Sequence, residues 1–325
     1  MSDINIFGQD ESLRLLDQAQ ASNIPVLLIG ETGTGKSSMV RELGASKKQN
    51  VVRFTLTGET TVDEFVGKYT LSGGKTVWQD GVLLQTLKAG DWLVVDELNA
   101  ALPEILFVLH PLLDDDRFVM VPQNKNEKVT PHPDFRFFAT MNPTDEYAGT
   151  KELNKAFLSR FPLVLQVRYP DGESEQKAIL AKHPKVPVLA VQSMVSIAQA
   201  IRKLKAENKI LYTCSTRDLI HWAQAYAFFD HLSPEEQIAK SFELTILNRC
   251  NGDAPVIAEH AGQILKALAG IAKAGIDDFS PQAIGNRLRI LEIATNKNLE
   301  SIQALDARKE EIAKEVIKGL VKDHS

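Results

Sequence analysis

A glycine-rich loop with one lysine and one serine is the stretch of this chain best suited to binding phosphate. Residues 30–37 read GETGTGKS and fit the pattern G-x-x-x-x-G-K-[S/T]. In such a loop the glycines turn backbone N–H groups towards the phosphates, the lysine brings a positive charge, and the serine offers its hydroxyl to Mg²⁺. The loop follows an apolar run, 24–29, and precedes the start of a helix, as the pattern requires. The sequence therefore predicts a nucleoside triphosphate site whose binding residues are Gly30, Glu31, Thr32, Gly33, Thr34, Gly35, Lys36, Ser37 and Ser38.

Two acidic residues follow another apolar run and supply the second half of this chemistry. Asp96 and Glu97 come directly after Trp92-Leu93-Val94-Val95. A carboxylate at a strand's carboxyl end can hold Mg²⁺ together with Ser37, and the next carboxylate can orient and deprotonate a water molecule. Asp-Glu also occurs as a simple acidic end of a strand, but Lys36 upstream favours the catalytic interpretation.

A third polar position lies at the end of a later apolar run. Residues 135–140 read FRFFAT, and Asn142 and Pro143 follow after Met141. The Asn142 side chain could hydrogen-bond the γ-phosphate or the attacking water. Asparagine before proline is also a common turn residue, so both interpretations stay open from the sequence alone.

The elements around these residues alternate between strand and helix. Apolar runs at 24–29, 51–56, 92–95, 135–140 and 163–167 predict five strands separated by helical stretches. We therefore expect an α/β fold, a three-layer domain with a parallel five-stranded sheet. A further pattern near 68–78, with Ser72-Gly73-Gly74-Lys75 as its turn, predicts a β-hairpin inserted into that fold.

Beyond residue 170 the apolar residues follow helical spacing only. We expect a nucleotide-binding core over 1–170, a helical lid over 171–255 and a helical extension over 256–325. In the extension, Ile312, Val316 and Leu320 belong to an apolar stripe expected to pack within the chain. Another predicted helix, 153–161, ends in Arg160.

Composition limits the classes of function. The 325 residues are 44% hydrophobic and 24% charged, with a formal charge of −5 and a pI of about 5.9. The acidic balance and the lack of a dense basic block argue against a dedicated nucleic-acid binder. The two cysteines, Cys214 and Cys250, are not in a C-x-x-C pair, which argues against a zinc site. With no signal-like start and no long apolar run, we expect a cytoplasmic protein without a membrane span.

The order of the motifs resembles that of an AAA+ ATPase. The phosphate loop, the Trp92–Glu97 run, the phrase FRFFATMNP, the run Phe157–Phe161 and Ser215-Thr216-Arg217 follow one another as in the MoxR and dynein-related branch. That branch includes CbbQ, NorQ and the cobaltochelatase ATPase subunit. The likeness covers residues 6 to about 230, so it assigns no task to the extension.

The resemblance implies roles that spacing alone does not. It makes Asn142 the first sensor, Arg160 an arginine finger that reaches the neighbouring subunit's nucleotide, and Arg217 a second sensor in the lid. With Lys36 and Glu97 these complete the implied catalytic set. The hairpin near Ser72–Lys75 is similar to an insert that lines the central pore of a ring, and residues 119–133 to an insert before the first sensor.

The resemblance implies Mg²⁺-dependent ATP hydrolysis at the subunit interfaces of a homo-oligomeric ring, expected to be a hexamer. Hydrolysis would remodel or activate a partner protein, with a von Willebrand factor A-domain protein as the expected partner. Two other functions stay open: a nucleic-acid-translocating or restriction-type NTPase motor, and a structural ATP-binding protein that does not hydrolyse. The acidic pI disfavours the first, and the presence of Glu97 and Arg160 disfavours the second.

Overall fold

The computed structural model describes residues 6–143 and 153–273 of the chain. The strands are β1 (Val26–Ile29), β2 (Val51–Thr55), β3 (Gly67–Ser72), β4 (Lys75–Asp80), β5 (Trp92–Asp96), β6 (Val119–Val121), β7 (Glu127–Val129), β8 (Arg136–Met141) and β9 (Leu163–Gln166). The α-helices are α1 (Asp10–Ala21), α2 (Lys36–Ser46), α3 (Val62–Phe65), α4 (Val82–Ala89), α5 (Pro103–Leu113), α6 (Lys155–Leu158), α7 (Gly172–Lys182), α8 (Val188–Ala206), α9 (Thr216–Tyr226), α10 (Pro234–Thr245) and α11 (Ala254–Lys273).

The predicted parallel sheet of five strands is confirmed. Its order is β2–β5–β8–β1–β9, and every neighbouring pair is parallel. Successive side chains of a strand point to opposite faces, and along β5 Leu93 and Val95 enter one apolar core while Trp92 and Val94 enter the other. Burial on both faces explains why these strands are continuously apolar in sequence. Helices cover both faces, which gives the expected three layers.

The strand order fixes where the functional residues meet. β8 lies between β1 and β5, with Leu28 opposite Thr140 on one side and Val95 opposite Ala139 on the other. Because these strands are parallel, their carboxyl ends meet at one edge of the sheet, where ligands bind in open α/β folds. The loop after β1, the acids at the end of β5 and Asn142 after β8 are therefore brought together.

Two antiparallel hairpins interrupt the α/β pattern. The predicted hairpin is confirmed as β3–β4, paired from Gly67 opposite Asp80 to Ser72 opposite Lys75. A second hairpin, β6–β7, falls within the segment 119–133 that the resemblance identifies as an insert. The Tyr69 hydroxyl on the first hairpin donates to the Asn124 side-chain oxygen of the second at 3.2 Å, so the two insertions contact each other.

The chain divides into two compact units. Among the residues that the structure describes, one consists of 6–143, 153–185 and Ser215–His221, and the other of Val186–Cys214 and 222–273. The first unit passes the expected limit at residue 170, and the Thr216 hydroxyl in it donates to Glu175 of α7 at 2.6 Å. The division into core, lid and extension stays a prediction.

The helix before Arg160 is shorter than predicted. The structure has α6 at Lys155–Leu158 instead of 153–161, and the Asn154 side chain caps it by accepting from the Ala156 N–H at 2.9 Å. Pro162 disfavours helical backbone at the residue before it, and Arg160 lies in the turn that follows α6. The apolar stripe with Ile312, Val316 and Leu320 lies outside the described residues.

Candidate nucleotide site

The phosphate loop joins β1 to α2 through two glycines that no other residue would replace. Gly35 has φ of +95°, a left-handed conformation that strains any residue with a Cβ. A Cβ on Gly30 would overlap the carbonyl oxygen of Val167 on the neighbouring chain segment. Helix α2 begins directly after Gly35, so its free N–H groups and positive dipole end face the loop, as an anion site requires.

Lys36 is held inside the loop by three oxygen atoms. Its ammonium donates to the carbonyl oxygens of Gly30 at 2.6 Å and Glu31 at 2.9 Å, and to the Asn142 side-chain oxygen at 2.9 Å. Burial lowers the pKa of Lys36 to about 8, against the opposing charges of Glu97 and Asp96. A phosphate group would add negative charge beside this buried ammonium and stabilise its charged form.

Asn142 connects the lysine to the candidate base. While its side-chain oxygen accepts from Lys36, its Nδ2 donates to both carboxylate oxygens of Glu97, at 2.9 and 3.0 Å. Glu97 itself has φ of +56° and ψ of +46°, a left-handed conformation that is uncommon for a residue other than glycine. Such local backbone strain clusters at functional sites. The structure thus places Lys36, Asn142 and Glu97 in one hydrogen-bonded row.

Asp96 is the most deeply buried acid of the site. One carboxylate oxygen, Oδ1, accepts from the Ser37 hydroxyl at 2.6 Å and from the Thr140 hydroxyl at 2.7 Å. The other oxygen, Oδ2, pairs with Nε of Arg53, which lies on the neighbouring strand β2. Only 3% of the Asp96 side chain is exposed, so the fold keeps a buried carboxylate beside a hydroxyl.

Ser37 and Asp96 fit the metal that the fold implies. Mg²⁺ prefers oxygen ligands and is usually held by one or two protein groups together with substrate phosphates and water. A hydroxyl and a carboxylate already in contact at the phosphate loop match that donor set. No group of three or more His, Cys, Asp or Glu side chains suited to a metal occurs in the described part of the chain.

These side chains line one cavity of about 120 Å³. The residues around it are Thr32, Gly33, Gly35, Lys36, Ser37, Ser38, Arg53, Asp96, Glu97, Thr140, Asn142 and Arg217. Arg217 reaches it from the first turn of α9, and its charge contributes to lowering the pKa of Lys36. The predicted site residues other than Gly30, Glu31, Thr34 and Arg160 therefore border one space, and Gly30 and Glu31 bind Lys36 behind it.

A second, larger cavity of about 450 Å³ shares part of this lining. Both are bordered by Gly33, Gly35, Ser38 and Arg217, and Thr34 borders the second. Apolar groups on the far side include Phe7 and Pro170. The pair of cavities thus combines a charged phosphate chamber with a less polar chamber beside it.

Arg160 lies elsewhere, in a cluster that we call the α5–α6 corner, made of His110, Asp114, Phe157 and Arg160. Nε of Arg160 lies 2.9 Å from Oδ1 of Asp114, and Nη1 of Arg160 donates to the Ala156 carbonyl oxygen at 2.5 Å. The rings of His110 and Phe157 pack with centroids 5.2 Å apart. Among the described residues, Arg160 is not part of the lining of the phosphate cavity.

Sequence reasoning missed two residues of the cavity, Arg53 and Thr140. Arg53 sits in an otherwise apolar strand, and only the placement of β2 beside β5 brings it to Asp96. Thr140 lies near the carboxyl end of β8, two residues before Asn142, and could have been found from this position at the edge of the sheet where ligands bind.

Two protein families match successive parts of this chain. The family described as AAA domain (dynein-related subfamily) matches residues 25–161, and the one described as CbbQ/NirQ/NorQ C-terminal matches residues 175–239. The first match covers the phosphate loop, Asp96, Glu97, Asn142 and Arg160, and the second covers Arg217.

Individual relatives agree with both matches. The chain is 35% identical to midasin of Dictyostelium discoideum over 207 residues, which are 62% of this chain but only 3% of midasin. It is 29% identical to aerobic cobaltochelatase subunit CobS of Sinorhizobium sp over 78% of this chain and 79% of CobS. It is 30% identical to protein CbbQ of Hydrogenophilus thermoluteolus over 61% of this chain and 73% of CbbQ.

A solved structure gives the same fold at lower sequence similarity. A mutant of Thermotoga maritima RuvB matches with a TM-score of 0.51 and 13% identity, over 73% of this chain and 70% of that one. At this identity the likeness concerns the fold alone. With the phosphate loop, the acidic pair and Asn142 assembled on the sheet edge, and with CbbQ matched over most of its length, the chain belongs to the AAA+ ATPases, in the MoxR-like branch that contains CbbQ, NorQ and NirQ.

Proposed function

We propose that this protein hydrolyses ATP with Mg²⁺ at the interfaces of a ring of identical subunits and uses the energy to remodel or activate a partner protein. The observation that carries the catalytic part is the hydrogen-bonded row Lys36–Asn142–Glu97. The Asn142 amide bonds the Lys36 ammonium, which can bind phosphate, through its oxygen, and the Glu97 carboxylate, which can act as the base, through its nitrogen. An ATP-binding protein without hydrolysis would need no such carboxylate.

Each residue has a task that follows from its position. The loop N–H groups and Lys36 bind the phosphates and neutralise their charge. Glu97 orients the attacking water and takes its proton, while Asn142 fixes the direction of the carboxylate. Ser37 and Asp96 would hold Mg²⁺, which supplies further charge neutralisation at the β- and γ-phosphates. The second cavity has the size and polarity for the nucleoside, beside Arg217.

The interface part of the proposal rests on Arg160. Stabilising the charge on the transferring phosphoryl group calls for an additional cation. Arg160 does not border its own cavity, and it is 26% exposed in the α5–α6 corner. We therefore assign it to the nucleotide of the neighbouring subunit, and a closed ring, in which every site receives one finger, follows as the assembly. Six is the expected number of subunits, as the resemblance implies.

Mixing two inactive variants tests whether the site is shared. Lys36→Ala should lose nucleotide binding but still supply Arg160, whereas Arg160→Ala should bind nucleotide but supply no finger. Each alone should be inactive. A mixture should recover a part of wild-type ATP turnover, because some interfaces then pair an intact loop with an intact finger.

A second mixture is the matched control. Lys36→Ala and Glu97→Gln both damage the site within their own subunit, so every site of the mixture carries one defect and turnover should stay absent. Recovery in this control would contradict the shared site. So would no recovery in the first mixture when co-purification of differently tagged subunits shows that mixed rings have formed.

The partner and the location belong to the same proposal. CobS is by its name a subunit of a cobaltochelatase, and NirQ a denitrification regulatory protein, which supports action on another protein. A von Willebrand factor A-domain protein is the partner we propose, in the cytoplasm. In the described part of the chain there is no helix that is long and apolar enough to cross a membrane.

Affinity purification of the Glu97→Gln variant from its own cells tests the partner, because blocked hydrolysis should hold the complex together. The expected result is co-purification of such a protein, with stimulation of ATP turnover when it is added to wild type. Stimulation by DNA and not by any co-purified protein would favour the nucleic-acid motor instead.

A further inference from the structure

Asp96 pairs with a cation of its own chain, Arg53. Arg53 lies on β2 opposite Val94 of β5, and its Nε pairs with Oδ2 of Asp96. Its guanidinium thereby borders the phosphate cavity together with Lys36 and Arg217. Neither the proposed phosphate binding nor the proposed water activation uses Arg53.

The two oxygens of Asp96 are both engaged. Oδ1 accepts from the hydroxyls of Ser37 and Thr140 at 2.6 and 2.7 Å, and Oδ2 faces Arg53. A buried carboxylate without a counter-charge is strongly destabilising, and the side chain of Asp96 is 3% exposed. Arg53 is the cation that pairs directly with this carboxylate, and the Lys36 ammonium adds positive charge nearby.

A divalent cation held by Asp96 would meet the guanidinium. The divalent cation and the Arg53 guanidinium would then lie close together at one buried carboxylate, and their mutual repulsion favours withdrawal of one of them. Lys36 is held by three acceptors. The Arg53 side chain is 60% exposed, and within the described part of the chain its buried partner is Asp96, so it can turn into solvent. The residue able to leave is Arg53.

We propose that Arg53 is a placeholder cation: it neutralises Asp96 while the site lacks Mg²⁺ and releases the carboxylate when Mg²⁺ and nucleotide bind. This inference rests on the proposed role of Asp96 in holding Mg²⁺. It assigns Arg53 a task in the Mg²⁺ dependence of nucleotide affinity and none in direct contact with phosphate. Displacement of Arg53 opposes the binding of Mg²⁺–nucleotide, and nucleotide without Mg²⁺ leaves the ion pair in place.

Calorimetric binding of ADP in Mg²⁺ and in EDTA tests the proposal with wild type and Arg53→Gln. The ratio of the Kd in EDTA to the Kd in Mg²⁺ should rise about tenfold in the variant, within the range usual for coupled sites. Arg14→Gln, which removes an exposed charge on α1, should leave the ratio unchanged. An Arg53→Gln ratio equal to wild type, or lower because the guanidinium binds phosphate in Mg²⁺–ADP, would overturn the placeholder role.

A second measurement needs no nucleotide and guards against a variant that folds poorly. Thermal unfolding in EDTA is compared for wild type, Arg53→Gln, Asp96→Asn and the double variant. Arg53→Gln should lower Tm when Asp96 is present and have little effect on Asp96→Asn, because the amide needs no counter-charge. Equal effects in both backgrounds would refute the ion pair. Wild type that bound ADP in neither buffer would instead refute the proposed nucleotide site.

Discussion

The phosphate cavity and the α5–α6 corner each present a cation, but the two cations are held differently. In the cavity, Lys36 is 8% exposed and its ammonium has three oxygen acceptors, two of which are backbone carbonyls of its own loop. In the corner, Arg160 pairs with Asp114, whose side chain is 48% exposed, and with one backbone carbonyl.

The two arrangements suit different tasks: Lys36 is held in a fixed position, whereas Arg160 can exchange its present partner for another anion. A buried ammonium held by carbonyl oxygens of its own loop is kept in place beside the phosphate cavity, and it needs to exchange only one acceptor to bind a phosphate oxygen. A partly exposed ion pair such as Arg160–Asp114 contributes less to stability than a buried one and exchanges its partner at lower cost. The comparison therefore supports the proposal that Lys36 binds the nucleotide of its own subunit and that Arg160 contacts the nucleotide of another molecule.

Removing Arg160 should have the largest effect on turnover and almost none on binding. Arginine fingers supplied by a second molecule accelerate GTPases roughly 10³–10⁵-fold, so Arg160→Ala should reduce kcat by about 10³ or more. Arg160 does not border the phosphate cavity of its own subunit. The Kd for ADP measured by calorimetry should therefore stay within about twofold of wild type, the deviation from additivity that is usual for sites that do not interact.

Arg160→Lys is the control for this prediction. It keeps the charge but loses the planar fork of donors, and should restore only a part of the rate. A Kd for ADP raised as strongly as kcat is lowered would show that Arg160 binds the nucleotide of its own chain, and the comparison between the two regions would then be wrong.

Asn142→Ala should lower the free energy of unfolding as well as kcat, because the Asn142 amide hydrogen-bonds both Lys36 and Glu97 in the cavity. Asn142 is 5% exposed and bonds both Lys36 and Glu97. Leaving buried polar partners without a hydrogen bond costs about 1–3 kcal/mol, which urea unfolding of the nucleotide-free protein should detect. An unchanged free energy of unfolding would mean that water or a rearranged neighbour replaces the amide completely.

Asp114→Asn should change stability less, because the same kind of deletion is made in the exposed region. Exposed ion pairs are worth about 0–1 kcal/mol, so the free energy of unfolding should fall by less than for Asn142→Ala. The reduction in kcat should also be smaller than for Arg160→Ala, because the guanidinium is still present. A loss of stability as large as that of Asn142→Ala would show that the corner is as tightly built as the cavity.

The cavity was largely predictable from sequence because its residues mark the ends of buried strands. The phosphate loop after β1, Asp96 at the end of β5 and Asn142 after β8 each follow a run of apolar residues. In a parallel sheet such positions share one edge, so their proximity follows from the fold class. All five predicted strands formed for the same reason, with their ends within two residues of the expected limits.

What the sequence did not show depends on the order of strands and on long-range pairing. Arg53 meets Asp96 because β2 neighbours β5, and Asn142 bridges Lys36 and Glu97 because β8 lies between β1 and β5. The pairing of Asp114 with Arg160 joins residues 46 apart in sequence with no periodic signal between them. Local patterns carry no information about these contacts.

The smallest predicted effect concerns the titration of His110 in the corner. Burial first, and then the charge of Arg160, lowers the pKa of its imidazole, while Asp114 acts in the opposite direction. The unfolded chain therefore binds the proton more tightly, so stability is complete above the usual histidine pKa of about 6.5 and falls as the pH decreases below it. The rings of Phe107 and Phe157 that contact His110 carry no charge.

Titration of His110 by NMR in wild type and in Arg160→Ala measures this directly. Removing the guanidinium takes away a repelling charge and frees Asp114, so the pKa of His110 should rise in the variant, and the loss of Tm between about pH 7.5 and about pH 5.5 should become smaller. The matched variant His110→Phe keeps a flat ring and should lose the corresponding part of the pH dependence. A pKa of His110 that is identical with and without Arg160 would contradict this prediction and would mean that the guanidinium lies away from the α5–α6 corner in solution. Arg160 would then be held even less firmly than Lys36.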